Sequence, residues 1–188
     1  VKLKEIKAKK IMEGLFDLHE MFNYKADDLK WKKNGEFSDR GSFAIDGTEY
    51  EVRIDFISYE EHYFMEVGFT ADLGDVHDFK RTHKQQASKV LAAVKNASEE
   101  KLKEYEDEYQ IDGIVFGAVF ANDPTMDEAL SRYKTYERIA AFIAKRYGYS
   151  IKENIPLPNN AGKYVLLTKG NVPNHVQYRI QQLVLDKS

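Results

Sequence analysis

Apolar residues recur along this chain in two rhythms, and the change from one to the other divides it into elements. Over residues 3–22, Ile11, Leu15, Leu18 and Phe22 fall at i, i+4, i+7 and i+11, one stripe at helical spacing. From residue 29 the period becomes two. Segments 29–33 and 36–39 flank Asn34-Gly35, and 42–45 and 48–57 flank Asp46-Gly47. Both dipeptides predict two-residue type I′ turns, because both central positions of that turn want positive φ. In the arm 48–57, Tyr50, Val52, Ile54 and Phe56 alternate with Glu49, Glu51, Arg53 and Asp55, which predicts one dry and one wet face. Segment 62–70 continues the meander with Tyr63, Met65, Val67 and Phe69 on one side.

After a polar loop at 71–81 the helical rhythm returns. Thr82-His83-Lys84-Gln85 matches a capping box, and Val90, Leu91, Val94, Ala97 and Leu102 form the buried stripe behind it. Residues 111–121 are almost continuously apolar, as expected of a strand covered on both faces. A second capping box, Thr125 to Glu128, opens a helix carrying Leu130, Tyr133, Ala140, Ile143 and Tyr147, with Gly148 as its stop. Strands at 149–154 and 163–169 follow, then a short helix with Val176, Ile180, Leu183 and Val184 on one face. That last face predicts either a cap on the sheet or an oligomer contact. The pattern as a whole predicts one α+β domain, a mostly antiparallel central sheet flanked by helices. It comprises an N-terminal helix (1–25), a core (29–170) and a C-terminal extension (171–188).

Composition narrows the function classes. The 188 residues are 43% hydrophobic, enough for a real core. With 28 basic and 31 acidic residues the net charge is −3, which excludes a globally basic nucleic-acid glove. Lysines and aromatics do interleave at Lys30-Trp31-Lys32-Lys33, but that segment already reads as a strand, and no nucleic acid is expected. Lys2, Lys4, Lys7, Lys9 and Lys10 crowd the first helix, read as a solvated face with a nucleic-acid grip as the alternative. There are no cysteines, so disulfides, thiolate metal sites and cysteine nucleophiles are out, and a reducing, cytoplasmic setting is expected. No apolar run reaches the roughly 20 residues of a membrane helix. Asp72, Asp75, His77 and Asp78 share a loop but lack the alternation and closing Glu of a calcium loop; no metal is expected.

The element order of residues 36–169 resembles the GNAT-type N-acetyltransferase fold, where a meander leads into a cofactor-binding helix, then a strand, a helix and a final hairpin. Short runs resemble small uncharacterised bacteriophage proteins: Leu29-Lys30-Trp31, Gly41-Ser42-Phe43, Tyr50-Glu51-Val52, Glu66-Val67-Gly68-Phe69, Ser131-Arg132, Tyr136-Glu137-Arg138 and Tyr147-Gly148-Tyr149. The resemblance implies that acetyl-coenzyme A would meet the helix start at Arg81, Thr82, His83, Lys84, Gln85 and Gln86. The family motif there is Gln/Arg-x-x-Gly-x-Gly/Ala, and Lys84 and Gln86 replace its glycines. Side chains at those positions obstruct close approach of backbone to pyrophosphate. The family's tyrosine position is Ala144 here. Gly117, in the buried strand with Gly113, suits the cleft the fold opens for pantetheine, or tight packing. Glu66 falls where the family often places a general base, although an ordinary outward-facing residue is the plainer reading.

One charge anomaly stands apart from the resemblance. Lys80, Arg81, His83 and Lys84 gather at a helix N-terminus, which prefers anions, so an anionic ligand near Thr82 is one explanation and solvated side chains the other. The same helix ends in Glu99, Glu100, Glu104, Glu106, Asp107 and Glu108, also against the dipole. Two functions result. The first is a bacteriophage-type accessory protein on an acetyltransferase-like scaffold, without catalysis or cofactor, that binds a protein partner such as a host factor or virion component. The second is an acetyl-CoA-dependent N-acyltransferase with Glu66 as base and Tyr133 or Tyr136 as proton donor.

Overall fold

The computed structural model describes residues 29–72, 84–119, 126–156 and 162–186, with side chains described at 29–69, 89–116, 136–152, 164–184 and 186. The helix expected over 3–22 lies outside the described residues. Seven strands form one sheet: β1 (Lys30–Lys33), β2 (Ser38–Ile45), β3 (Thr48–Tyr59), β4 (His62–Asp72), β5 (Ile111–Val119), β6 (Ser150–Pro156) and β7 (Gly162–Thr168). Their order is β1-β2-β3-β4-β5-β7-β6. Neighbours are antiparallel except β4 and β5, which run parallel. A parallel pair needs a long crossover, and α1 (Lys84–Glu106) lies within it. Helix α2 (Met126–Tyr147) lies between β5 and β6, and α3 (Asn174–Asp186) follows β7. The α+β class and the mostly antiparallel sheet expected from the pattern are therefore present.

The turns show which local signals governed the meander. Asp46 (φ 49°) and Gly47 (φ 83°) both take positive φ, and Ile45 pairs with Thr48, as a type I′ turn requires. Asn34-Gly35 behaves differently. Only Gly35 is left-handed (φ 123°), Asn34 N–H donates to Ser38 O at 2.8 Å, and pairing resumes at Lys33 with Asp39. The loop is longer than two residues, and segments 36–39 and 42–45 merge into the single strand β2. Gly148 (φ 75°) ends α2 as a left-handed cap, with Tyr149 N–H donating to Ala144 O at 3.0 Å.

The sheet carries two cores. On one face Val52, Ile54, Met65, Val67, Ile114 and Phe116 meet Val90, Val94, Ala97 and Leu102 of α1 and Ile139, Ala140 and Ile143 of α2. On the other, Val176, Ile180 and Val184 of α3 cover Ile57, Phe64, Val115, Tyr164 and Leu166. Neighbouring β5 residues thus serve both cores, which is why that strand reads as a continuous apolar run. Of the two roles open to the last helix, α3 takes that of a cap on the sheet. Full burial stabilises each such side chain by roughly 1.5–3 kcal/mol, so three anchors outweigh the modest helical propensity of a short segment.

The acidic end of α1 is largely balanced inside the fold. Glu99 meets Lys95 at 3.6 Å and Arg146 at 3.4 Å and accepts a hydrogen bond from the Tyr147 hydroxyl at 3.1 Å. Glu104 meets Lys101 at 2.6 Å and Glu106 meets Lys169 at 2.9 Å. Lys95 and Lys101 come from α1 itself, Arg146 from α2 and Lys169 from just after β7.

Candidate functional site

Alternation along β4 sends Met65 and Val67 into the helix-covered core and Glu66 to the opposite face. Glu66 is not an outward, solvated strand residue: its side chain is 2% exposed. The β3–β4 register sets Asp55 opposite Glu66 and Arg53 opposite Gly68, so Arg53 reaches both acids diagonally. Arg53 lies 3.1 Å from Asp55 Oδ2 and 3.3 Å from Glu66 Oε1. Arg40, one strand further, lies 3.1 Å from Asp55 Oδ1 and 3.7 Å from Glu51. The Ser38 hydroxyl donates to Asp55 Oδ1 at 2.6 Å. What the sequence presents as a wet face is here a cross-strand ion network with buried acids.

The same region is where the sheet opens. The parallel ladder of β4 with β5 runs from Tyr63–Ile111 to Val67–Phe116. Beyond that point β4 continues to Asp72 paired only with β3, and β5 continues to Val119 paired only with β7, among the described residues. Gly68, at the start of the divergence, has no atom within 4 Å of the position a Cβ would occupy, among the described residues. Gly117 lies on the diverging part of β5, its backbone paired with Tyr164. Gly113 differs: a Cβ there would lie 2.2 Å from the Phe64 ring and 2.7 Å from the Leu167 carbonyl oxygen, so its glycine serves packing.

The other candidate residues lie on α1, on α2 or outside the described residues. Tyr136 projects from α2 into the core, 3% exposed, its ring 5.6 Å from that of Phe69 on the diverging part of β4. Tyr133 lies on the same helix, its side chain outside the described residues. Lys84, Gln85 and Gln86 form the first turn of α1, which holds no acidic residue. Arg81, Thr82 and His83 lie outside the described residues, as do Asp75, His77 and Asp78. Ala144 is buried under the sheet. Among the described residues, no group of three or more His, Asp or Glu gathers as metal ligands. No described helix is long and apolar enough to cross a membrane.

A second polar cluster ties the β1–β2 edge to α1 and carries no signal in the linear sequence. Lys101 lies 3.0 Å from the buried Asp39, and the Tyr105 hydroxyl donates to the same carboxylate. The Lys101 ammonium stands 4.5 Å above the Trp31 ring, whose N–H donates to Glu100 at 3.1 Å. Burial and then the hydrogen bond and charge of Asp39 push the Tyr105 phenol well up. Burial opposes the charge of Lys101, yet the bonds and charges of Glu104 and Asp39 outweigh it, leaving the lysine above its ordinary value. This cluster faces the helix side of the sheet and acts as a latch. Comparison with known proteins gives no match: no family model, curated sequence or solved structure is significantly similar to the chain.

Proposed function

We propose that the chain is an acetyltransferase-like scaffold that acts by binding a protein partner and not by group transfer, an accessory protein of the bacteriophage type its sequence resembles. The Glu66 network carries this reading. A general base needs a lone pair within reach of the proton it removes. Glu66 instead lies buried against Arg53, within a chain of ion pairs that runs through Asp55 to Arg40. The loss of both motif glycines to Lys84 and Gln86, and of the family tyrosine to Ala144, points the same way. The scaffold part of the reading draws on the parallel β4–β5 pair with a helix between its strands and a helix–hairpin after it.

One observation favours the alternative, an acetyl-CoA-dependent N-acyltransferase with an atypical pyrophosphate loop. The β4 and β5 strands separate beyond Val67 and Phe116, with Gly68 and Gly117 on the diverging arms. A separation of this kind gives a pantetheine arm room to lie between strands. Calorimetric titration of the chain with acetyl-coenzyme A, beside an Arg81→Ala/Lys84→Ala variant, decides between them. The binding reading expects no heat of association up to about 1 mM ligand. Micromolar association that the double variant abolishes would overturn it and assign the cofactor to the start of α1.

A further inference from the structure

The end of the sheet away from the β4–β5 divergence gathers the β1–β2 turn, the β3–β4 turn and the C-terminal end of α1. Four aromatic rings meet there. The Phe56 ring stands edge-on to Tyr105 at a centroid distance of 3.8 Å and lies 6.4 Å from Tyr109, which is 5.3 Å from Tyr63. Phe37 lies opposite Phe56 in the backbone ladder, its carbonyl accepting the Phe56 N–H at 2.8 Å, which puts its side chain on the same face of the sheet. Phe37 is 56% exposed and Tyr109 is 40% exposed, whereas Phe56, Tyr63 and Tyr105 are half-buried. Scattered exposed apolar residues need no explanation, but a contiguous row of large rings at the surface marks an interaction site.

The charge around the row selects the partner. Glu36 on one turn, Glu61 on another, and Asp107 and Glu108 at the end of α1 are all exposed. Among the described residues, Lys33 and Lys103 are exposed cations near it, and Lys169 is taken up by Glu106 at 2.9 Å. The wall behind the row already holds a cation on ring faces: Lys101 stands 4.5 Å above Trp31 and 5.7 Å from the Tyr105 centroid. A guanidinium stacks flat on an aromatic face while its N–H fork takes carboxylates, which an ammonium does less well.

We propose that the row of Phe37, Phe56, Tyr63 and Tyr109 docks an arginine-bearing segment of a protein partner. This rests on the binding reading above and specifies the chemistry of its partner. The experiment is fluorescence anisotropy of a labelled oligo-arginine peptide titrated with the full chain at about 0.15 M salt, where distant surface charges are screened. Truncation of exposed ring anchors at an interface weakens binding about tenfold or more, and that loss is expected of the Phe37→Ala/Tyr109→Ala variant. Tyr178→Ala, which removes a 63% exposed ring on α3, is expected to bind as the parent does. An Asp107→Asn/Glu108→Gln variant keeps the rings and their packing and is expected to weaken binding as well. An oligo-lysine peptide is expected to bind less tightly than oligo-arginine. No association of the parent chain, equal affinity of the ring variant and the parent, or equal loss on Tyr178→Ala would each overturn the proposal. Acetyl-coenzyme A tests the other end of β4, so either idea can fail while the other stands.

Discussion

Single residues decide how closely this sheet packs. Gly113 and Gly68 sit on adjacent parallel strands, yet among the described residues only Gly113 is pressed by a neighbour, the Phe64 ring from the partner strand. Gly113→Ala forces that ring or the Leu167 carbonyl to move and is expected to destabilise the fold by about 2 kcal/mol. Gly68→Ala meets no atom of the described residues within 4 Å and is expected to leave stability unchanged or raise it by about 0.5 kcal/mol, through the unfolded chain. Urea unfolding of the two variants checks this, and equal losses would contradict the packing role. The tyrosines give a pH prediction. Burial, then the bond and charge of Asp39, raises Tyr105, and burial, then Glu106, raises Tyr149. Tyr50 and Tyr147 are raised as well, burial first. The unfolded phenol ionises near 10.0 while the folded one keeps its proton, so these contributions are complete below that pH and are lost as pH rises above it. The raised pKa of Lys101 has the same sign. Unfolding free energy measured from about pH 8 to about pH 11 is expected to fall, and Tyr105→Phe to flatten the fall. A parent profile that stays level would contradict the burial of these phenols.

At the scale of elements, the last helix shows what an apolar stripe can and cannot say. The spacing of Val176, Ile180 and Val184 identifies a helix with one dry face, but the stripe is the same whether it meets a sheet or a second chain. The structure seats it on Ile57, Phe64, Val115, Tyr164 and Leu166. Ile180→Ala is therefore expected to cost about 3 kcal/mol in a denaturant melt, with no change of mass in solution. A lowered mass with unchanged stability would return the helix to the role of an oligomer contact. The hairpins make a related point. Asp46-Gly47 announces its turn because both residues accept positive φ. The β3–β4 turn is built on Glu60 (φ 55°) and Glu61, which carry no glycine or asparagine signal, and long strands on either side impose it. That turn brings Asp55 opposite Glu66, so the ion network could not be read until the register was known.

For the molecule as a whole, the pattern of residues determined a good deal by itself. Helical spacing, alternation and turn chemistry are local properties, and they specified α1, α2, α3, the strands of the meander and the final hairpin to within a few residues. The apolar run of β5 likewise specified a strand covered on both faces. Tertiary structure decided what depends on partners distant in sequence. It chose the parallel β4–β5 pairing and the point beyond Val67 and Phe116 where that pairing ends. It turned Glu66 from a strand position with a carboxylate into a buried partner of Arg53. It joined Asp39 to Lys101 and Tyr105, and it assembled Phe37, Phe56, Tyr63 and Tyr109 at one end of the sheet. The physical reason is the same in each case: secondary structure follows from short-range periodicity, whereas burial, ion pairing and surface patches follow from strand register and sheet order, which no local window contains.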